Sequence, residues 1–418
     1  LCGLEDSMRE LVFCCGIEGS EAARADAFEE QVMAVIQEVA SEGVPRERLE
    51  AVLHQLELHQ REVSGDSYPY GLQLILRALG CATHYSDPIA VLDIDPVIAE
   101  MRERIADPDY IRGIARDLLL DNRHRVTLVM TPDKTLSAKR NAAESERLAA
   151  LRASLDASQQ AAIVKLAADL QQRQEQQDDP SILPKVALAD VPASLPELGY
   201  TEKRAESLLS TRYAQGTNGL VYQQVISPLP ELSAAQIGAL PHYTAALTEL
   251  GLGADSYLET QHRQSATVGA INAFTSMRGK VDDEQAIQAH LILSSKALVR
   301  NAQDQLELMH ATRQQVRFDE AERIRDLVSQ QRARREQSIT GNGHGLAMAA
   351  ACAGMSPLAA LNHRLSGLEG VRRVRELDDR LREADQRRAF AGELAGIHER
   401  MLDMPVQLLT ISDQEHVE

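Results

Sequence analysis

Tryptophan is absent and aromatic residues make up only 3% of the chain, so cores must be assembled from Leu, Ile, Val, Ala and Met, a palette that favours packed helices. Cysteine is scarce. Cys2, Cys14, Cys15, Cys81 and Cys352 are five in number and show no C-x-x-C spacing, which argues against a disulfide framework and a zinc knuckle. A reducing compartment is expected, the cytoplasm in the first instance and an organelle matrix as the alternative. Long apolar runs are missing too: none approaches the ~18–20 residues a membrane-spanning helix needs, so no membrane partner is expected. Positive charge is in deficit, with 44 Lys and Arg against 62 Asp and Glu and a net charge of −18. Phosphate backbones are held by basic surfaces, so nucleic acid is not an expected partner. The acidic balance suits a solvated surface or a basic partner. The first residues, Leu1-Cys2-Gly3, carry neither an initiator Met nor a signal pattern, and read as an entry point into a longer chain.

What is present is a length of 418 residues with 44% hydrophobic and 25% charged residues, enough for two or three globular domains. Glu10 to Ile17 is compact and apolar and reads as a buried strand. Phe28, Val32, Val35, Ile36 and Val39 form one stripe of a helix that ends at Gly43, and Leu49, Val52, Leu53 and Leu56 mark the next, begun by Pro45. A short helix follows Tyr68-Pro69-Tyr70-Gly71. Two more follow Asp95-Pro96 and Asp107-Pro108, each a capping residue with proline at the first helical position. His124 to Met130 alternates like a strand. From Ser137 to Pro192, apolar residues at Leu148, Leu151, Leu155, Ile163, Leu166 and Leu170 are mostly three or four apart. They predict two helices interrupted at Leu155-Asp156, with Asp156 or Ser158 as cap and a proline-stiffened exit from Leu183 to Pro192. Beyond it, Glu206–Tyr213 and Gly219–Ser227 read as strands joined by Gln215-Gly216-Thr217-Asn218. A helix spans about Ser233–Leu250, and strands lie at Thr267–Phe274 and Ala289–Ser295. Four or five helices then run to Met401, before a last strand at Val406–Ile411. The fold class is α+β, two helix-rich domains with mostly antiparallel sheets joined by a helical hairpin.

The residues yield no catalytic or metal site. His59-Gln60-Arg61-Glu62-Val63 matches the first four positions of the inverted zinc motif H-x-x-E-H, but Val63 stands where the second histidine belongs, and His54 is five residues from His59. This stretch reads as the polar face of a surface helix. Gly341-Asn342-Gly343-His344-Gly345 has Leu346 where a dinucleotide fingerprint needs its third glycine, and reads as a turn between helices. Arg332, Arg334 and Arg335, with Arg372, Arg373, Arg375, Arg380 and Arg382, are interleaved with acids and read as solvated helix faces.

Several phrases occur together in one order: Tyr68-Pro69-Tyr70-Gly71-Leu72; Asn122-Arg123-His124-Arg125 with Thr131-Pro132-Asp133; Leu183-Pro184-Lys185-Val186 through Asp190-Val191-Pro192; the Ser294 to Gln303 segment; and Ser338-Ile339 to Gly343-His344 with Ala347. In them the chain resembles the central part of the presequence protease branch of the pitrilysin/insulinase superfamily of inverted-motif zinc metallopeptidases. The resemblance implies one portion of a clamshell of four related α+β domains that closes around unfolded peptides. Residues 1–136 correspond to part of the second domain, 137–195 to the linker hairpin or hinge, and 196–418 to the third domain, all non-catalytic. Zinc is implied for the full-length enzyme outside this segment, and none is expected here. Leu240-Pro241-His242-Tyr243-Thr244 occupies the place of a zinc helix with one histidine and no partner. The partners implied are unfolded peptides, basic ones being favoured by the acidic balance, and the first and last domains of the same protein. A non-catalytic structural subunit of the same fold and a helical adaptor remain the alternatives.

Overall fold

The computed structural model describes residues 2–6, 8–63, 68–194, 197–205 and 208–416. The first elements are β1 (Cys2–Glu5), β2 (Val12–Cys15), α1 (Ala25–Glu42), α2 (Arg46–Arg61), α3 (Tyr70–Thr83), α4 (Asp95–Arg104) and α5 (Pro108–Ile114). Next come α6 (Leu136–Ser154), α7 (Ala157–Glu175), β3 (Tyr200–Ala205), β4 (Leu208–Ala214), β5 (Leu220–Pro228), α8 (Ala234–Leu247), α9 (Tyr257–Thr267), β6 (Ala270–Gly279) and β7 (Ile287–Leu298). The last part holds α10 (Ala302–Gln315), α11 (Ala321–Gly341), α12 (Gly343–Cys352), α13 (Pro357–Ser366), α14 (Leu368–Arg380), α15 (Ala384–Leu402) and β8 (Gln407–Ser412). The class is α+β, as the periods predict. Two compact units divide the chain: Leu1–Gly3, Cys14–Val35 and Asp121–Glu197 form one; Leu4–Phe13, Ile36–Leu120 and Leu198–Glu418 form the other.

In the larger unit a six-stranded sheet runs in the order β3-β4-β8-β5-β7-β6. Most neighbours are antiparallel, but β4 pairs with β8 in parallel, Leu209 opposite Gln407 and Tyr213 opposite Ile411. The expected β4–β5 hairpin is therefore corrected: β8 lies between the two strands. A parallel neighbour needs a long crossover, and here everything from β5 to α15 lies between the two strands in the chain. The connecting loop is held instead by the chain's far end. Asp413 accepts hydrogen bonds from the Thr217 and Gly219 amides, both at 2.8 Å. Of the predicted strand at Glu206–Tyr213, Glu206 and Ser207 lie outside the described residues. β3 and α9 have no counterpart among the expected elements, and the strand predicted from Thr267 begins at Ala270, because Thr267 ends α9.

Helices cover the inner face of the sheet. Val221, Val225, Ile271, Leu291 and Leu293 of the strands share one core with Leu240, Tyr243 and Leu247 of α8 and with Leu394 and Ile397 of α15. α8 starts where Ser233 and Gln236 form a reciprocal capping box, which satisfies two otherwise orphaned amides. Among the described residues six α-helices, α10 to α15, follow β7 where four or five are expected.

In the smaller unit α6 and α7 meet at Leu155-Asp156, and Asp156 closes a capping box with Gln159. The helices are where the spacing places them, but they do not pack along their length, and Leu148, Leu151, Ile163, Leu166 and Leu170 are exposed. Two strand expectations are also corrected. His124 to Met130 runs without ladder hydrogen bonds, with Val126, Leu128 and Met130 all exposed; alternation assigns faces to a strand but supplies no neighbour to pair with. The strand within Glu10–Ile17 shortens to β2 and is exposed rather than buried, because its single neighbour β1 covers neither face.

Candidate functional site: a carboxylate buried under three arginines

The expected surface helix at His54–Val63 is corrected by α2. Ala51, His54 and Leu58, at spacings of three and four, lie on one face of the helix together with Glu57, and all four are buried. Leu58 is sealed against Leu220 and Leu298 with Tyr222 alongside. Val52 and Leu56, predicted to face the core, are exposed, and so is His59.

Glu57 is 1% exposed. Burying an isolated carboxylate is costly unless it is paired and fully hydrogen-bonded, and here three elements supply the pairing. Arg300, in the turn after β7, binds it bidentately, Nη1 to Oε1 at 3.1 Å and Nη2 to Oε2 at 2.6 Å. Arg102 of α4 donates to Oε2 at 2.5 Å, and Arg61, one turn along α2, donates to Oε1 at 3.0 Å. Burial alone would push this carboxyl up, but the Arg300 fork, with Arg61 and Arg102, overrides it and holds the carboxyl at about 2. Arg61 also pairs with Asp95 at the start of α4. His54, one turn back, is held neutral first by burial and then by the Arg300 charge, which push its pKa down.

Polar contacts extend this joint on both sides. Gln55 donates to the Ser265 carbonyl at 2.5 Å and the Val268 carbonyl at 2.7 Å, satisfying groups that the end of α9 leaves unpaired. Asn218 donates to the Arg61 carbonyl at 3.1 Å and so closes α2 itself. Lys296 of β7 pairs with Glu62 at 2.6 Å. Gly269 permits the approach: a Cβ there would stand 3.0 Å from Lys296 and 3.5 Å from Leu58. Such an arrangement performs no bond-breaking chemistry. It locks a helix from the first quarter of the chain to a sheet formed by the second half.

The motifs singled out from the sequence fall elsewhere. His242 of α8 is buried with its ring edge-on to Phe390 at 5.9 Å, and burial pushes its pKa down to about 4. Tyr243 points its hydroxyl at His398 Nδ1, 3.0 Å away, and stacks on Phe318. Among the described residues no group of three or more His, Cys, Asp and Glu side chains is placed to hold a metal ion. His242, walled by an aromatic ring and lacking a second donor, does not fit a zinc ligand set. The expected turn at Gly341–Gly345 is corrected to a single residue: Gly341 ends α11, Asn342 lies between, and Gly343, His344 and Gly345 begin α12, with His344 exposed. The arginine clusters divide. Arg334, Arg372, Arg373, Arg375, Arg380 and Arg382 are exposed, as expected. Arg332 instead ties α11 to α14 through Asp378 at 2.9 Å and Asp379 at 3.0 Å, and Arg335 donates to the Leu365 carbonyl at 2.7 Å.

Sequence reasoning missed Glu57. Its signal was present in part, because the Ala51, His54, Leu58 spacing marks a second stripe beside it. The three guanidinium partners are not deducible locally, since Arg102 and Arg300 lie 45 and 243 residues away.

Comparison with known proteins agrees with the resemblance. The chain is 26% identical over 376 residues to the mitochondrial presequence protease of Xenopus tropicalis, covering 90% of this chain and 36% of that protein. It is 25% identical over 390 residues to presequence protease 1, chloroplastic/mitochondrial, of Arabidopsis thaliana (91% and 36%) and 26% identical over 382 residues to the mitochondrial presequence protease of Mus musculus (90% and 37%). The chain thus spans about a third of the length of these relatives. A family model for the region associated with peptidases of family M16, subfamily C, matches residues 130–377, more than half of the 418 residues, and the chain belongs to that peptidase-associated family.

Proposed function

We propose that this chain is the wall and hinge segment of a zinc-dependent metalloendopeptidase that degrades short unstructured peptides in a closed chamber. The catalytic zinc belongs to a domain outside residues 1–418. In this reading residues 1–136 are part of the second domain, 137–195 the hinge and 196–418 the third domain. The observation that carries it is the Glu57 joint. A chamber wall must hold its shape while a hinge moves, and α2 is locked to the sheet by contacts that Glu57 makes across 243 residues of sequence. The exposed α6–α7 stretch, whose apolar residues pack into no core, suits the moving part. The net charge of −18 would draw basic peptides toward the chamber. The compartment proposed is a reducing one, the cytoplasm or an organelle matrix such as the names of the relatives carry.

The coding sequence on the Leu1 side tests this directly. An H-x-x-E-H with a Glu some tens of residues downstream, and chelator-sensitive peptide cleavage by the encoded protein, is the expected result. A degenerate motif and no cleavage would establish the structural-subunit alternative instead. In that full protein, a crosslink fixing the Leu183 to Pro192 exit to either flanking domain should slow peptide turnover; unchanged turnover would remove the hinge assignment.

A further inference from the structure

We propose that Cys2 and Cys15 are a reversible dithiol–disulfide couple, a redox modification site separate from any peptidase chemistry. The odd, widely spaced cysteines gave no hint of a pair, yet the two-stranded sheet of β1 and β2 brings these two together: Cys15 donates its S–H to Cys2 Sγ across 3.3 Å. Both are exposed and free, so a small oxidant reaches them without any opening of the fold. Cys14 is equally exposed but is the strand neighbour of Cys15, and successive side chains point to opposite faces, which takes it away from Cys2. The pair is therefore selective by geometry rather than by sequence spacing.

The hydrogen bond sets the order of events. Cys15, which gives that bond, has its pKa raised by it, so Cys2 is the sulfur that attacks first. The Cys2 thiolate attacks one sulfur of a low-molecular-weight disulfide, glutathione disulfide being the probe. The small disulfide's S–S bond breaks and one glutathione thiolate leaves. Cys15 then loses its proton and attacks Cys2 Sγ in the mixed disulfide; the Cys2–Cys15 bond forms and the second glutathione thiolate leaves. The protein gives up two electrons and two protons, and the oxidant becomes two thiols. In a reducing compartment the couple rests as dithiol and closes only when the poise rises, as transient regulatory disulfides do. Closure ties β1 covalently to β2 across the loop between them.

The whole chain is incubated with glutathione disulfide at low protein concentration, unfolded, alkylated and mapped by mass spectrometry. Alkylatable thiols should fall from five to three, with one Cys2–Cys15 linked peptide, full recovery on adding reduced glutathione, and a monomer on a non-reducing gel. C2S and C15S should each abolish the link, and C14S should leave it intact. A count that stays at five, adducts of glutathione on single cysteines without an internal bond, a link through Cys14, or crosslinks between chains would each overturn the proposal.

Discussion

Replacing Glu57 by Gln removes the charge from the joint while keeping its size. In the wild type the carboxyl is held at about 2 against an ordinary value of 4.5. At about 1.4 kcal/mol per tenfold change in the ionisation constant, that difference puts an upper bound of about 3.5 kcal/mol on the stabilisation. Arg102 and Arg300 keep side-chain exposures of 48% and 49%, so water screens part of that attraction and about 2 kcal/mol is the expected loss for Glu57→Gln. The assay is urea unfolding followed by far-ultraviolet circular dichroism, since the chain has no tryptophan to report. The midpoint should fall by on the order of 0.5–1 M at neutral pH. The folded-state pKa is depressed, so the contribution is complete above about 4.5 and is lost as the pH falls through about 2. The gap between wild type and variant must therefore shrink as the pH is lowered over that window. Equal midpoints at neutral pH, or a gap that does not change on acidification, would refute the reasoning.

Other positions give independent checks. In Gly251→Ala the new Cβ would stand 2.3 Å from the Asp255 carbonyl oxygen, a backbone atom with little freedom to move; a loss of about 1–3 kcal/mol is expected in the same unfolding assay. Asp413→Ala strips the Thr217 and Gly219 amides of their acceptor and should cost about 1.5–3 kcal/mol, with faster amide exchange at those two positions. His242 and His398 are both pushed down to about 4 by burial, so the folded state keeps them neutral where the unfolded chain, near 6.5, is protonated. Stability should fall as the pH drops from about 6.5 to about 4, and a flatter profile in His398→Gln would show how much one ring contributes.

Local physics made much of the fold legible. α7 begins where Asp156 predicts a cap and α5 where Asp107 does, and β8 ends within one residue of the expected strand. Only the Asp95 cap is corrected, because Asp95 is itself the first residue of α4 and its side chain makes no capping bond. What was not legible depends on partners distant in sequence. Nothing in Leu208–Ala214 announces that its neighbour is Gln407–Ser412 rather than Leu220–Pro228, because ladder pairing uses backbone groups common to all residues. His124–Met130 failed for the same reason in reverse, having strand alternation without a partner. At the joint, Glu57 reads as an ordinary surface acid until Arg102 and Arg300 arrive from other elements. The Cys2–Cys15 approach was hidden because thirteen residues and a strand pairing separate the two.

The central claim is that this chain supplies wall and hinge while the metal chemistry lies elsewhere. Zinc content of the purified chain after zinc loading and exhaustive dialysis, measured together with cleavage of an unstructured basic peptide, tests it most directly. Far less than one zinc per chain, and no cleavage that a chelator abolishes, is the expected result. One tightly held zinc per chain with chelator-sensitive peptidase activity would contradict it.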